Sequence, residues 1–153
     1  MNRQDDRVTD LHIGDFYRDT ALTLVRLYQI FPRPVILYVD DICGPDEPDE
    51  FGLHSDRYMS CFNTLIWLGA EGYLRYVDIV RQEALDQTVL TERGLRLLCG
   101  RSSLSNIAPI DPDTPAGFAA ETQSNIQHVR RALQSGSSTQ LEHCMHYLLH
   151  EQP

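Results

Sequence analysis

The residues best placed by spacing to do chemistry are three histidines near the end of the chain. His143, His146 and His150 stand at offsets of three and seven, which puts them on one helix face with Glu142 beside them. Imidazoles spaced in this way can share a divalent metal, and because the ligand form is neutral such binding would depend on pH. No fourth ligand is fixed by spacing, so a solvated polar face is the simpler reading and no metal or other cofactor is expected. Cys43, Cys61, Cys99 and Cys144 lie far apart, form no CxxC pair and read as reduced, buried thiols. All 13 basic residues are arginines. Without a lysine there is neither Schiff-base chemistry nor a phosphate-binding loop. GxSxG, a glycine-rich phosphate cradle and HExxH are all missing, so the chain is expected to act by binding and not as an enzyme.

A second set of residues suits contact. Ser60, Asn63 and Thr64 are of the types that read base edges, and Arg57, Arg75 and Arg81 are of the type that meets phosphate. Trp67, the single tryptophan, falls on the same outward face by helical projection. Its simplest fate is to be covered by neighbouring elements of the chain. Its functional alternative is to anchor a partner, and the two merge if the cover is a second subunit.

The elements that must position these groups follow from periodicity. Phe16, Ala21, Leu24, Leu27, Tyr28 and Phe31 recur at helical spacing, so a helix is predicted from Asp15, as its cap, to Phe31, stopped by Pro32 and Pro34. A short strand, Val35 to Val39, leads into an acidic, proline-broken loop ending at Gly52. Ser55 or Asp56 caps a second helix, Arg57 to Glu71, closed by Gly72. Tyr58, Cys61, Phe62, Leu65, Ile66 and Leu68 form its buried face, with Ser60, Asn63, Thr64, Trp67 and Glu71 opposite. Two strands follow, Tyr73 to Val77 and Gln87 to Leu90, with Asp78 to Asp86 as a long hairpin tip. Thr91 caps a helix from Glu92 to Cys99 that Gly100 ends. Beyond a connector, two helices are predicted at Phe118 to Leu133 and Thr139 to His150, the last with Leu141, Cys144, Met145 and Leu148 as its apolar stripe.

Two segments carry a family resemblance. Thr64-Leu65-Ile66-Trp67-Leu68-Gly69-Ala70-Glu71-Gly72-Tyr73-Leu74 looks like a recognition helix turning through glycine into a wing strand. Val89-Leu90-Thr91-Glu92-Arg93-Gly94-Leu95-Arg96-Leu97-Leu98 looks like the passage leaving the wing. With the order helix, strand, displayed helix, hairpin, helix, the chain from about Asp15 to Gly100 resembles the winged helix-turn-helix superfamily. It departs from that pattern between Val39 and Ser55, where Gly44, Pro45, Pro48 and Gly52 leave room for only a turn or two of the helix that normally precedes the recognition helix. Val35 to Asp41 also mimics the first strand of phosphoacceptor receiver domains, but a long helix precedes it and the lysine such domains need is missing. Asp40, Asp41, Asp46, Glu47, Asp49 and Glu50 do not match the spacing of a calcium loop.

Composition narrows the function. The chain has 153 residues, 42% of them hydrophobic and 23% charged, and 22 acidic residues against 13 basic ones give a net charge of −9. That balance disfavours binding of phosphate backbones by bulk charge. With no apolar run of membrane-spanning length and no secretory signal, no membrane contact and a cytoplasmic location are expected. The expected fold is mainly α with a small β-hairpin (α+β). It comprises a flexible N-terminus (1–10), a winged-helix domain (11–100), a connector (101–117) and a C-terminal helical hairpin (118–153) that would help form a homodimer. The expected function is regulation or adaptation through protein–protein contacts, with sequence-specific DNA binding in transcriptional regulation as the alternative. A DNA reader requires Arg57, Arg75 and Arg81, with Arg26 or Arg33, in one positive stripe, whereas an adaptor predicts an exposed apolar patch on a neutral or acidic face.

Overall fold

The computed structural model describes residues 10–101, 113 and 124–151. Residues 1–9 of the expected flexible N-terminus, almost all of the connector and the first turns of the helix expected from Phe118 lie outside the described residues. The elements in chain order are α1 (Leu11–Ile30), β1 (Val35–Tyr38), α2 (Val39–Cys43), α3 (Asp56–Ala70), β2 (Leu74–Arg75), β3 (Asp78–Val80) and β4 (Ala84–Leu90). Helices α4 (Glu92–Cys99), α5 (Asn125–Gln134) and α6 (Ser138–His146) follow, the last running into a π-helical turn, Tyr147–Glu151. The architecture is mixed α and β, with a small antiparallel sheet against a helical majority. Among the described residues no helix is long and apolar enough to cross a membrane.

Helix α1 begins a turn earlier than expected, so Asp15 lies inside it rather than capping it. Gly14 sits where a Cβ would come 2.6 Å from Glu142 Oε1, so α6 approaches that turn of α1 closely. The long helix packs on α3, α5 and α6. Its buried stripe is Tyr17, Ala21, Leu24 and Leu27, while Phe16 is only partly covered and Phe31 is exposed. Ser55 caps α3, its hydroxyl accepting from Tyr58 N–H at 3.2 Å. The acidic loop ahead of it is ordered by its own carboxylates. Asp46 accepts from the Ser55 hydroxyl at 2.6 Å and contacts His54 Nδ1 at 3.0 Å, and Asp49 accepts from Phe51 and Leu53 N–H. The Ser55 hydroxyl bond, ahead of the His54 contact, holds the Asp46 carboxyl below its ordinary pKa.

Strand β4 is central, with β1 on one side and both β2 and β3 on the other, all antiparallel. The expected long tip is corrected. Asp78–Val80 pair with Ala84–Asp86, and the chain turns tightly at Arg81 and Gln82, with Glu83 N–H donating to Val80 C=O at 2.8 Å. Both turn residues have positive φ, 51° and 61°, the geometry of the mirror-image turns that suit hairpin twist and favour asparagine and glycine. Replacing Arg81 by Asn and Gln82 by Gly is therefore expected to raise stability by about 1 kcal/mol, read as a higher midpoint in urea with unchanged slope.

Thr91 caps α4, its hydroxyl accepting from Gly94 N–H at 3.1 Å and donating to Gly72 C=O at 2.6 Å. That bond ties the start of α4 to the glycine turn after α3, where Gly72 takes φ 83°. The apolar stripe of the terminal hairpin is buried within the chain. Ile126, Val129, Ala132, Leu141, Cys144, Met145 and Leu148 join α1 and α3 in one hydrophobic cluster. Burying a side chain of the Leu or Met class in this way is worth about 1.5–3 kcal/mol.

Candidate contact surface

Arg57, expected to meet phosphate, is engaged inside the chain. Its Nη1 and Nη2 each donate to a carboxylate oxygen of Asp19 at 2.7 Å, and its Nε lies 3.6 Å from Asp15. Asp19 is fully buried, so this bidentate pair neutralises a carboxylate that would otherwise be unpaired in the core. The Asp19 hydrogen bonds hold the guanidinium above its ordinary pKa, against the opposing effect of burial. Arg26 is also paired, with Asp41 at 3.3 Å.

Thr64 is corrected from a displayed residue to a buried one. It is 5% exposed, and its hydroxyl donates to Ser60 C=O at 2.9 Å. Asn63 is exposed and Ser60 half-buried. Trp67 is 37% exposed because neighbours in the same chain cover its faces. The Phe16 ring meets it edge-on with centroids 5.1 Å apart, and Tyr73 stacks beside it at 6.2 Å. Arg93 lies 4.3 Å over the Tyr73 ring, and its guanidinium donates to Glu71 C=O and reaches the Tyr73 hydroxyl. The row Phe16, Trp67, Tyr73 and Arg93 therefore ties α1, α3 and α4 together and leaves the indole partly exposed.

Arg75 and Arg81 are exposed, but Asp78, Glu83 and Asp86 lie among them along the hairpin. At the start of the expected wing strand the neighbours Tyr73 and Leu74 are both buried, so one-face burial does not hold there. The sheet's outer face carries a different feature. Tyr38, Ala84 and Val80 are direct cross-strand neighbours, opposite in direction to the buried pair Leu37 and Leu85. Tyr38 is 48% exposed, Val80 41% and Ile36, one pleat along β1, 48%. Ile79, which pairs with Leu85 and so lies on the opposite face, is also exposed, as is Val77 just ahead of β3.

The three histidines do not converge. His146 and His150 turn to α1, where the Tyr17 hydroxyl lies 3.2 Å from His146 Nδ1 and 3.0 Å from His150 Nε2. Glu151 is 3.7 Å from the other nitrogen of His146. His143 instead lies toward His128 on α5, and together with burial and Arg131 it lowers the His128 pKa. Among the described residues no three His, Cys, Asp or Glu side chains come together as a metal site. Because burial, the largest cause, disfavours the charged form of His128, protonation favours the unfolded chain. Its contribution is present above the ordinary imidazole value and is lost as pH falls through the lowered one. His128→Gln is thus expected to flatten the acid limb of a stability–pH curve between about pH 7 and 5, a limb that Tyr17→Phe should leave in place.

A groove of about 850 Å³ opens between the start of α1 and the α5–α6 turn, lined by Asp10, Asp15, Arg18 and Glu142 together with the hydroxyl residues Ser137, Ser138 and Thr139. Two groups were missed by sequence reasoning. Asp19 lies 38 residues from its partner, beyond any local spacing rule. The outer-face patch depends on strand pairing, although the alternation Ile36, Tyr38 carries part of its signal. In comparisons with known proteins, the chain matches no family model, no curated protein and no solved structure.

Proposed function

We propose that the chain is a winged-helix protein that acts without catalysis, as a regulator or adaptor, through protein–protein contacts made by the outer sheet face and the hairpin. The winged-helix reading is supported by the element order and by β4 lying between β1 and the β2–β3 arm. The short α2 fills the place of the reduced helix before α3. The observation that carries the protein-binding reading is the exposure of Tyr38, Val80 and Ile36 on one sheet face, with Ala84 buried between Tyr38 and Val80 and carboxylates beside them. The positive stripe that a DNA reader needs is weakened at two of its members, since Arg57 and Arg26 are held by Asp19 and Asp41. Self-association through the terminal hairpin has no support from its apolar stripe, which is buried within the chain.

Titration of mixed-sequence duplex DNA at about 50 and 200 mM salt separates the two readings. The protein-binding reading expects no saturable complex at either concentration. Saturable binding that weakens steeply with salt, and is lost with Arg75→Ala and Arg81→Ala, would establish the DNA-binding alternative instead.

A further inference from the structure

We propose that the outer sheet face docks a basic, amphipathic segment of a partner protein, one that alternates arginine or lysine with apolar side chains. The proposal rests on the protein-binding reading and adds the chemistry of the partner. The apolar half of the match is Tyr38 and Val80, exposed on either side of the buried Ala84, with Ile36 beside them. The charged half lies in the next row of the same face, where Asp78 and Asp86 stand directly opposite each other across β3 and β4. Strand alternation puts Asp78 with Val80 and Asp86 with Ala84, so both carboxylates border the apolar row. Like charges opposite each other on neighbouring strands are unfavourable. Among the described residues neither Asp78 nor Asp86 forms an ion pair, although the Asp78 carboxylate accepts from Ile79 N–H at 2.8 Å; Glu83 adds a third negative group at the turn, where Arg81 is also exposed. A cationic side chain reaching between Asp78 and Asp86 would relieve that repulsion while its apolar neighbours cover Tyr38 and Val80. An acidic or purely apolar segment would leave the repulsion in place.

Amide shifts of the isotopically labelled protein during titration with synthetic strand-length peptides test this. One peptide alternates leucine with arginine, and a second, of equal length, alternates leucine with glutamine. The arginine peptide is expected to shift Ile36–Tyr38, Asp78–Val80 and Ala84–Asp86 saturably. Its affinity should fall about fivefold or more in the Asp78→Asn, Asp86→Asn double variant, which keeps size and hydrogen-bonding atoms. Tyr38→Ser should weaken it further. Equal binding of the glutamine peptide at this face would overturn the basic partner while leaving the docking face standing. Shifts centred on the acidic loop around Asp46 and Asp49, or an affinity indifferent to the two asparagines, would overturn the proposal as unspecific charge attraction. If neither peptide binds, the proposal fails, and an unchanged capture of protein partners by a Tyr38→Ser, Val80→Ser variant would show that the docking face has failed with it.

Discussion

Arg57→Ala is expected to cost about 3–5 kcal/mol of folding stability, the range for breaking a buried pair and leaving one charge unmatched. The charge left behind is the Asp19 carboxylate, which is fully buried on α1. Asp19→Ala should cost less, because the Arg57 side chain remains 35% exposed and has Asp15 at 3.6 Å as a second partner. Against a typical total of about 5–15 kcal/mol, the first variant removes a large share of the margin. Replacing both partners by apolar residues of similar size, Asp19→Leu with Arg57→Met, is expected to recover most of the loss, since no charge is then stranded. Urea midpoints of the three variants check the order. A double variant as unstable as Arg57→Ala would mean that the pair stabilises by geometry and not by matching charge.

Gly94→Ala is expected to be the most damaging glycine-to-alanine change among the described residues. A Cβ there would come 2.2 Å from Tyr73 C=O and 3.1 Å from Leu90 Cδ2, and the first of these is backbone that cannot swing aside. Overpacking of this kind costs about 1–3 kcal/mol and occasionally more, well above the roughly 1 kcal/mol that alanine gains over glycine in a helix. The added methyl has to push α4 away from the strand start at Tyr73, pulling Thr91 off Gly72 and Arg93 off the Tyr73 ring. Near-ultraviolet dichroism of the Trp67 and Tyr73 pair should therefore change along with the midpoint. Gly69→Ala is the control, because its nearest obstacle is the Tyr76 ring edge at 2.8 Å, a side chain able to rotate. Equal losses from the two substitutions would contradict this explanation of Gly94.

These two sites also mark what sequence can and cannot reveal. The two segments read as resembling a recognition helix and the exit from a wing meet at one junction, where Thr91 bonds Gly72 and Gly94 presses on Tyr73. Local rules sufficed there because caps and glycines act over three or four residues. The same rules placed α3 and α4 within a residue of their ends. Thr64 was legible by spacing, being three residues after Cys61 and four before Leu68. Its polar type pointed outward, but its hydroxyl is satisfied by Ser60 C=O within the helix, so burial leaves it no unmet hydrogen bond. Arg81 and Gln82 gave no turn signal, since neither is a residue that favours positive φ. The engagement of Arg57 and the convergence of His146 and His150 on Tyr17 were not legible at all. Both join α1 to elements far along the chain, and only packing decides which long-range partners meet.

In the proposed function the protein presents the face of Tyr38, Ile36 and Val80 to another protein. The most direct measurement is quantitative affinity capture from nuclease-treated extract of the cells the protein comes from, comparing the wild-type chain with the Tyr38→Ser, Val80→Ser variant. Both side chains are about half exposed, so the variant keeps its fold. The expected result is a partner retained near one-to-one by the wild type and lost by the variant. Retention of the same partner by both chains, or retention of nucleic acid alone before nuclease treatment, would contradict it.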